Sequence, residues 1–474
     1  MSNEKGVTLD NQKLSRSVPW WMLIPWLIGG VTGGDFYITN SFIVSNGGPL
    51  TVFGYLGAMI FVIIMSLVYW ELVSTFPYSG GQYVFISRAF GKFPGFIVFF
   101  VYAFNFAFWI PLNLSVAGAY LNWIFPEIQI SSTIWSIIIA VIFHLIVFRG
   151  ILFSTLVQVV MSIVAITGTT LLVIVPMLRN PEKFLTLAAT NLNSDFLFPT
   201  FDAKFAGFFA LAGLTITYMV GFEIVPMLAE EIKSSRARLG YIQTMGSMGM
   251  GTVQILCALG MVTLIPYHMF ASMANTEMNI PAAAMEMAPD LLPVFVVKII
   301  LGAAILSSFA TCLSAITGFT RSIYVLGRDQ RLPKVFSYLH PKYKTPVGSI
   351  VLCFVLGILG SIQREIVSYA FALVMAAMFM YILIPISHII LRKKEPNTIR
   401  PVKTPFYPII NIIASTWAAY MFYYQVKTVP ITVWYFLFAV ICLGIVFYFY
   451  YDKKRTVYIK AIDKDKKHYF GLPI

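Results

Sequence analysis

Runs of apolar residues, separated by short polar segments, follow one another along the whole chain. A run of roughly 18 or more apolar residues is long enough for an α-helix to cross a lipid bilayer. We therefore predict an all-α integral membrane protein. The pattern predicts twelve transmembrane helices, at residues 20–45, 50–76, 94–125, 132–148, 152–178, 205–229, 242–266, 292–324, 346–362, 366–391, 405–427 and 430–451.

Polar segments flank this helical region at both ends of the chain. We predict a cytoplasmic N-terminal head at residues 1–18, a single transmembrane domain at 19–451, and a basic cytoplasmic tail at 452–474. Because the tail is rich in Lys and Arg, we expect it to lie at the membrane surface, near anionic lipid.

The composition and the distribution of charge agree with this organisation. Of 474 residues, 58% are hydrophobic and 11% are charged, whereas a soluble domain has roughly 25% charged residues. With the N-terminus in the cytoplasm, 27 of the 33 Lys and Arg residues fall on cytoplasmic segments and six on the outer side. This asymmetry predicts a multi-pass cell-membrane protein with both termini cytoplasmic. It also accounts for the net charge of +13 without a nucleic-acid partner.

The first predicted span contains a stretch that is poorly suited to a continuous helix, "IGGVTGGDFYITN" (28–40). Four glycines loosen the backbone, and Asp35 places a carboxylate inside an apolar run. Irregular backbone at membrane depth is tolerated only where protein encloses it or where it lines a cavity. Transporters use such interruptions to bind polar groups near the middle of the bilayer. We therefore predict that helix 1 is broken near Gly33.

The sixth span, "GLTITYMVGFEIVPMLAEE" (213–231), has a second such stretch. Gly221 loosens the helix, Glu223 adds a charge, and Pro226 removes a backbone donor. Interruptions at spans 1 and 6 suggest two five-helix halves of inverted topology, at 20–178 and 205–391. Helices 11 and 12, at 405–451, are then additional.

Four stretches resemble the amino acid–polyamine–organocation (APC) permeases, a superfamily with the leucine-transporter fold. The resemblance covers the chain from about Trp20 to Lys403. Its four stretches are the glycine-rich break at 29–36, "ELVSTFPYSGGQYVFISRAFGK" at 71–92, "GFEIVPMLAEEIKSS" at 221–235, and "TRSIYVLGRDQRLPKVFSYLHPKYKTPV" at 320–347. Ser234-Ser235 departs from the family pattern, which has Asn-Pro at these positions.

The resemblance implies a secondary active transporter that moves an amino acid or a related amine or polyamine by alternating access. In this family, backbone amides of helix 1 hold the substrate carboxylate and carbonyls of helix 6 hold its α-amine. The substrate-binding positions that follow for this sequence are Gly30, Val31, Thr32, Gly33, Gly34, Asp35, Thr217, Tyr218, Met219, Gly221 and Phe222. Some antiporters carry a tryptophan gate where Thr217 stands, so an aromatic lid would have to come from Tyr218 or Phe222.

Asp35 is a departure from the family, which has glycine at or next to this position. If the sequence is aligned with the family's Gly-x-Gly motif of helix 1 without a gap, Asp35 takes the place of the third motif residue. If the alignment is shifted by one residue, Gly34 takes that place. The carboxylate can pair with the ammonium of a cationic substrate, coordinate a coupling Na⁺, or carry a coupling proton. It can also cap the second half-helix. A charge at this depth costs at least about 2.5–3.5 kcal/mol, which favours the functional interpretations.

Coupling is predicted to involve Glu223, Asp35, Ser307 and Ser308. Several exchangers of the family use a proton-sensitive carboxylate at the position of Glu223, although a structural hydrogen bond that braces the break is an equal alternative. Ser307 and Ser308 could offer oxygen ligands to Na⁺. The fifth span lacks the lysine that some relatives have in place of Na⁺. H⁺ coupling, Na⁺ coupling and exchange therefore stay open.

We expect several polar residues to have structural roles. Glu71 is expected to pair with basic residues of the inner face. Arg321, Arg328 and Asp329 are expected to fasten the cytoplasmic loop after helix 8. The four cysteines lie in hydrophobic spans, and we expect free thiols.

An enzyme and a channel or sensor are the two functional classes that compete with a transporter. An enzyme is disfavoured because the sequence offers no acid–base pair, Cys–His pair, metal cluster or phosphate loop, and no cofactor is expected apart from a coupling ion. The remaining alternative is a channel or a non-transporting solute sensor with the same fold. The expected partners are a small-molecule substrate and the lipid bilayer.

We predict that Asp35→Asn lowers the affinity for a cationic substrate, or for Na⁺, by at least ~100-fold, since about 1.4 kcal/mol corresponds to one decade. Removal of one partner from a buried charge pair costs ~3–5 kcal/mol. Folding should change less, because Asn can still cap a half-helix. Uptake and folded yield, measured across Na⁺ and pH, test this. Near-normal transport by Asp35→Asn, together with lost expression of Asp35→Ala, would identify a capping role instead.

Overall fold

The helices follow from the apolar runs and, apart from the first and sixth spans, which are interrupted, their bounds agree with the predicted spans to within about six residues. The computed structural model describes residues 14–30, 32, 34, 36–125, 127–128, 130–192, 208–209, 211–270, 272–273, 280–363 and 366–452. Most of the predicted head and tail, and with them the prediction of a membrane-surface tail, lie outside this part of the chain.

Sixteen α-helices occur among the described residues. They are α1 (Leu23–Gly29), α2 (Phe36–Gly47), α3 (Thr51–Thr75), α4 (Gly81–Phe90), α5 (Lys92–Ile124), α6 (Ser132–Phe148), α7 (Ile151–Arg179), α8 (Pro181–Asn191), α9 (Ile224–Met227), α10 (Arg236–Leu264), α11 (Ile280–Met287), α12 (Val294–Arg328), α13 (Val347–Gln363), α14 (Ile366–Lys394), α15 (Ile409–Thr428) and α16 (Ile431–Asp452). The described residues 208–209 and 211–215 are helical as well.

Each of the twelve predicted spans contains helix, and the prediction of an all-α membrane protein is confirmed. In the part of the chain that the structure describes, seven helices are long and apolar enough to cross a membrane. Three shorter apolar helices, Trp20–Gly29, Ser132–Phe148 and Val347–Gln363, accompany them. The count of twelve membrane crossings stays a prediction.

Three helices, α4, α8 and α11, lie outside the predicted spans, because they are short or insufficiently apolar. Helix α8 shows which local features start such a helix. The side chain of Asn180 accepts a hydrogen bond from the Lys183 amide at 3.0 Å, and Pro181 occupies the first helical position. Both are helix-starting features that do not depend on a long apolar run.

A pair of two-residue strands connects the segment before α1 to the segment after α9. β1 (Val18–Pro19) runs parallel to β2 (Ile232–Lys233). The amides of Ser17 and Val18 both donate to the Glu231 carbonyl at 3.0 Å. Sequence analysis did not predict these strands, because two residues show no periodicity. The strands fix the start of the first span against the end of the sixth.

The long helices form a closely packed bundle. Helix α3 packs along α10, and α5 packs along α12. Helix α12 also lies against α7, while α14 lies against α5. Helices α1 and α2, with the segment 211–227, are enclosed by these longer helices and carry the candidate site.

Buried ion pairs gather at one end of the bundle, where three of the family-like stretches meet. The Arg321 guanidinium lies 3.0 Å from the Glu231 carboxylate, and both side chains are fully buried. Arg328 lies 2.9 Å from Glu230, and Tyr83 donates a hydrogen bond to Asp329. These contacts agree with the structural role predicted for Arg321, Arg328 and Asp329.

Glu71 is the centre of a second cluster at the same end. Its carboxylate accepts hydrogen bonds from Arg392 and from the Thr404 amide, the latter at 2.7 Å. The Arg400 guanidinium lies 3.2 Å and the His388 imidazole 3.0 Å from the same carboxylate. The expected pairing of Glu71 with basic residues is confirmed. The cluster fastens α3 to the segment that connects α14 with α15.

We predict that Arg321→Met lowers the free energy of unfolding by ~3–5 kcal/mol, because Glu231 then stays buried without a cation. A second change, Glu231→Gln, should restore part of this loss by removing the unpaired charge. The exposed pair formed by Lys183 and Asp290, 2.7 Å apart, is the control. Lys183→Met should leave the unfolding temperature in detergent unchanged. Equal losses for Arg321→Met and Lys183→Met would contradict the prediction.

Candidate functional site

The first span is interrupted within the described residues. Helix α1 ends at Gly29, and α2 begins at Phe36. Gly30, Thr32 and Gly34 between them have no helical conformation. The remaining three residues of the stretch, which include Asp35, lie outside the described residues, as do the predictions made for them: Val31, Gly33 and Asp35.

Side chains of neighbouring helices bind the backbone of this interruption. The Ser307 hydroxyl, on α12, donates to the carbonyl of Thr32. The Tyr120 hydroxyl, on α5, donates to the carbonyl of Gly34 at 3.0 Å. The Thr32 hydroxyl donates to the carbonyl of Ile28 at 2.9 Å. These donors replace helical hydrogen bonds, which a bilayer interior requires for every polar backbone group.

Gly34 is required by the close approach of α12. A Cβ atom at Gly34 would overlap the Ala304 carbonyl oxygen and the Ser308 hydroxyl. By contrast, a Cβ atom at Gly302, on α12 itself, would meet no heavy atom within 4 Å. Gly34 therefore lets the backbone of the first interruption contact α12 at this point.

The second span that was predicted to break is interrupted as well. A 3-10 turn, Ile216–Tyr218, is followed by turn residues and then by the one-turn helix α9. Gly221 has φ = +105°, a backbone conformation that other residues rarely adopt. This observation confirms the predicted break near Gly221.

Glu223 braces this interruption from within. The side chain is fully buried, and its carboxylate accepts hydrogen bonds from Tyr102 at 2.8 Å and from Tyr381 at 2.9 Å. It also accepts from the Gly221 amide at 3.2 Å. One carboxylate thus connects the turn to α5 and to α14. This is the geometry of the bracing role.

Phe222 belongs to the same cluster as Glu223. Its ring centroid lies 5.5 Å from that of Tyr381 and 6.0 Å from that of Tyr69. The side chain is fully buried. It is therefore packed between α3 and α14, which gives it the position of a wall rather than a lid.

Tyr218 points into a different aromatic cluster. Its ring centroid lies 5.0 Å from Phe36, at the start of α2, and 6.2 Å from Tyr55 on α3. Thr217 and Tyr218 also line a cavity of about 40 Å³. Phe42 and Phe371 lie on its wall, with ring centroids 6.0 Å apart. Of the two candidates for an aromatic lid, Tyr218 is the one that contacts the second half of helix 1.

Gln254, on α10, joins the two interruptions. Its side-chain nitrogen donates to the Tyr218 carbonyl at 2.5 Å and to the Thr32 hydroxyl at 3.2 Å. The side chain is fully buried. Met219, beside Tyr218, donates its amide to the Ile216 carbonyl at 2.8 Å and is also fully buried. The interruptions therefore lie side by side in the bundle interior.

The two serines proposed for coupling have different surroundings. Ser307 binds the backbone of helix 1, as described above. The hydroxyl of Ser308 is buried and has no hydrogen-bond partner among the described residues. It lies beside Gly34, so Ser308 offers an oxygen without a described partner next to the first interruption. The four cysteines are unpaired.

The structure divides the sequence-predicted residues into two groups. One group lies where α1, α2, α10 and α12 meet the segment 211–227. Its members are Thr32, Gly34, Tyr218, Ser307 and Ser308. Phe222 and Glu223 lie with tyrosines of α3, α5 and α14. Sequence reasoning missed Tyr102, Tyr120, Gln254 and Tyr381. The amide of Gln254 inside an apolar span is itself a signal of function or of a buried hydrogen bond.

The fold and the site define a multi-pass α-helical membrane protein whose interrupted helices meet in the bundle interior, an arrangement typical of secondary transporters. The chain belongs to the amino acid permease family, whose sequence model matches residues 19–448. This places it in the APC superfamily that its motifs resemble.

Individual relatives are distant. The chain is 24% identical to the branched-chain amino acid permease BcaP of Bacillus subtilis, over 95% of this chain and 96% of that protein. It is 23% identical to the chloroplastic cationic amino acid transporter 6 of Arabidopsis thaliana, over 74% of this chain and 60% of that protein. The methylthioribose transporter of Bacillus subtilis is 23% identical, over 94% and 95% respectively.

We predict that Gly34→Ala abolishes at least about nine-tenths of transport, because the new Cβ atom must push helix 1 away from Ala304 and Ser308. Gly302→Ala is the matched control on α12, where the new methyl group meets open space. It should retain transport and gain up to about 1 kcal/mol of stability. Uptake per folded molecule, measured in proteoliposomes, checks both. Wild-type uptake by Gly34→Ala would show that helix 1 tolerates the displacement.

Proposed function

We propose that the protein is a secondary active transporter that moves an amino acid or a related amine across the cell membrane by alternating access. The observation that carries this proposal is the meeting of the two interruptions at Gln254. A single side chain contacts both Thr32 and Tyr218 there. Two broken helices that lie side by side place backbone polar groups of both interruptions at one point in the bundle interior.

The chemistry of the half-helix ends suits a zwitterion. Backbone amides at a helix N-terminus carry partial positive charge and attract a carboxylate. Phe36 begins the second half of helix 1, so backbone amides just before it are the proposed carboxylate site. Because Asp35 adds a negative charge there, we propose that the substrate or a coupling ion supplies an additional positive charge. Carbonyls at the end of a half-helix attract a cation, and the segment from Thr217 to Gly221 is the proposed site for the substrate amine.

The contacts between helices support the proposed 5+5 repeat. If spans 1–5 correspond to spans 6–10, α5 corresponds to α12 and α7 to α14. The packing of α12 against α7 then has its counterpart in the packing of α5 against α14. Under this proposal the pairs α3 with α10 and α5 with α12, which pack against each other, would lie on the symmetry axis. Helices α15 and α16 would be the two additional spans.

The proposed orientation follows the basic residues. Segments that the positive-inside rule assigns to the cytoplasm contact one another at one end of α7, where the Thr345 hydroxyl donates to the Phe148 carbonyl at 3.0 Å. At the other end, Arg179 donates to the Asp290 carbonyl at 3.1 Å. This arrangement is compatible with one basic, cytoplasmic face.

The substrate class is supported by the family and by two of the relatives, whose names state amino acids as substrates. The methylthioribose transporter shows that a protein of similar sequence can carry another solute. Because these relatives are permeases and transporters, they support transport over catalysis. Coupling to H⁺ through Glu223 or Asp35, coupling to Na⁺ near Ser307 and Ser308, and exchange are the forms that the site could use.

Reconstituted uptake tests the proposed function. The purified protein is placed in proteoliposomes, and uptake of radiolabelled L-leucine, L-arginine and putrescine is measured with and without Na⁺ and pH gradients. Exchange is tested by loading the vesicles with unlabelled compound. We expect saturable uptake of at least one compound. Ionic current without uptake of any of them would favour a channel instead.

We predict that Glu223→Gln flattens the pH dependence of transport and changes substrate affinity by no more than a few fold. Glutamine cannot titrate, but it can still accept hydrogen bonds from Tyr102 and Tyr381. Initial uptake rates measured across pH check this. If Glu223→Gln keeps the wild-type pH profile, the carboxylate braces helix 6 and does not take part in coupling.

A further inference from the structure

The side chain of Gln254 has a fixed orientation, which follows from what its neighbours can accept. A backbone carbonyl accepts hydrogen bonds and cannot donate them. The amide atom that faces the Tyr218 carbonyl at 2.5 Å must therefore be the nitrogen. The same nitrogen uses its second hydrogen toward the Thr32 hydroxyl at 3.2 Å. Both donors of the amide are thereby occupied.

The amide oxygen of Gln254 is left over. It is buried and has no hydrogen-bond partner among the described residues. A buried acceptor without a partner costs about 1–3 kcal/mol, so such an atom in a native protein calls for an explanation. This acceptor belongs to a side chain that donates hydrogen bonds to both helix interruptions.

We propose that the Gln254 side-chain oxygen accepts a hydrogen bond from an ammonium group of the bound substrate. The inference rests on the proposed function. It adds a specificity-determining residue on α10 to the site formed by the two helix interruptions. The amide nitrogen holds Thr32 and Tyr218 at a fixed separation, and the oxygen on the same carbon is presented to the ligand. A neutral acceptor also binds a cation without placing another charge in the apolar interior.

Gln254→Met tests the acceptor, because methionine has a similar length and neither donates nor accepts strongly. Gln243→Met is the matched control. Gln243 lies on the same helix, is fully buried, and has no hydrogen-bond partner for either side-chain atom among the described residues. Both variants remove one buried amide from α10, so a general effect of this change on folding is common to both.

The assay uses whichever of L-leucine, L-arginine and putrescine the wild-type protein takes up fastest. Inhibition of its uptake is measured with the unlabelled compound and with an analogue in which hydrogen replaces one amino group. These analogues are 4-methylpentanoate, 5-guanidinopentanoate and butylamine, respectively. The ratio of the two inhibition constants reports how strongly the protein recognises the amino group.

We expect Gln254→Met to reduce this ratio at least about tenfold, the effect of losing one hydrogen bond to a charged group. Gln243→Met should keep the wild-type ratio. A purely structural role for Gln254 would weaken both compounds equally and leave the ratio unchanged, which would overturn the proposal.

Gln254→Glu provides a second variant in case Gln254→Met does not fold. A carboxyl group that faces the Tyr218 carbonyl must be protonated there, so it donates one hydrogen bond in place of the amide nitrogen and still presents an acceptor oxygen. The ratio should therefore be retained, and a decrease in a folded Gln254→Glu protein would contradict the proposal. The failure of this inference is distinguishable from the failure of the proposed function. Absence of wild-type uptake for all three compounds rejects the function, whereas wild-type uptake with an unchanged ratio in Gln254→Met rejects only the role of Gln254.

Discussion

The need to pair every backbone polar group inside the bilayer determines the rest of this structure. Unwinding helices 1 and 6 exposes amides and carbonyls that water cannot reach, and each unpaired group costs several kcal/mol. Helices α5, α10, α12 and α14 therefore each contribute a polar side chain to the interruptions. Ser307 and Tyr120 donate to the first interruption, and Tyr381 donates to Glu223 of the second. Gln254 donates to both.

The two interruptions are stabilised in different ways, which suggests different roles. The first uses neutral hydroxyl and amide groups from neighbouring helices, so its backbone can bind a charged ligand without a competing charge among the described residues. The second carries its own carboxylate, held by two tyrosines and a backbone amide. A change in the protonation of Glu223 would alter three hydrogen bonds at once. This connects the proposed coupling to the shape of helix 6.

The sequence was sufficient to predict the helical fold and the position of both interruptions, because long apolar runs and clustered glycines are local signals. The partners of the interruptions were not predictable in the same way. Tyr120, Tyr381 and Gln254 lie far from them in sequence, and only the packing of the helices brings them together. The strand pair at Val18 and Ile232 was missed because two residues carry no periodic signal. Phe222 could not be recognised as a packed wall without its aromatic neighbours.

One substrate is proposed to be bound by both interruptions together. Hydrogen–deuterium exchange of the wild-type protein, with and without a saturating transported compound, tests this most directly. We expect slower exchange of backbone amides in both 28–36 and 215–224 when the compound is bound, and no change in α16, which packs against α5 and α14 at the periphery of the bundle. Protection of only one of the two segments, or of neither while transport persists, would contradict the account.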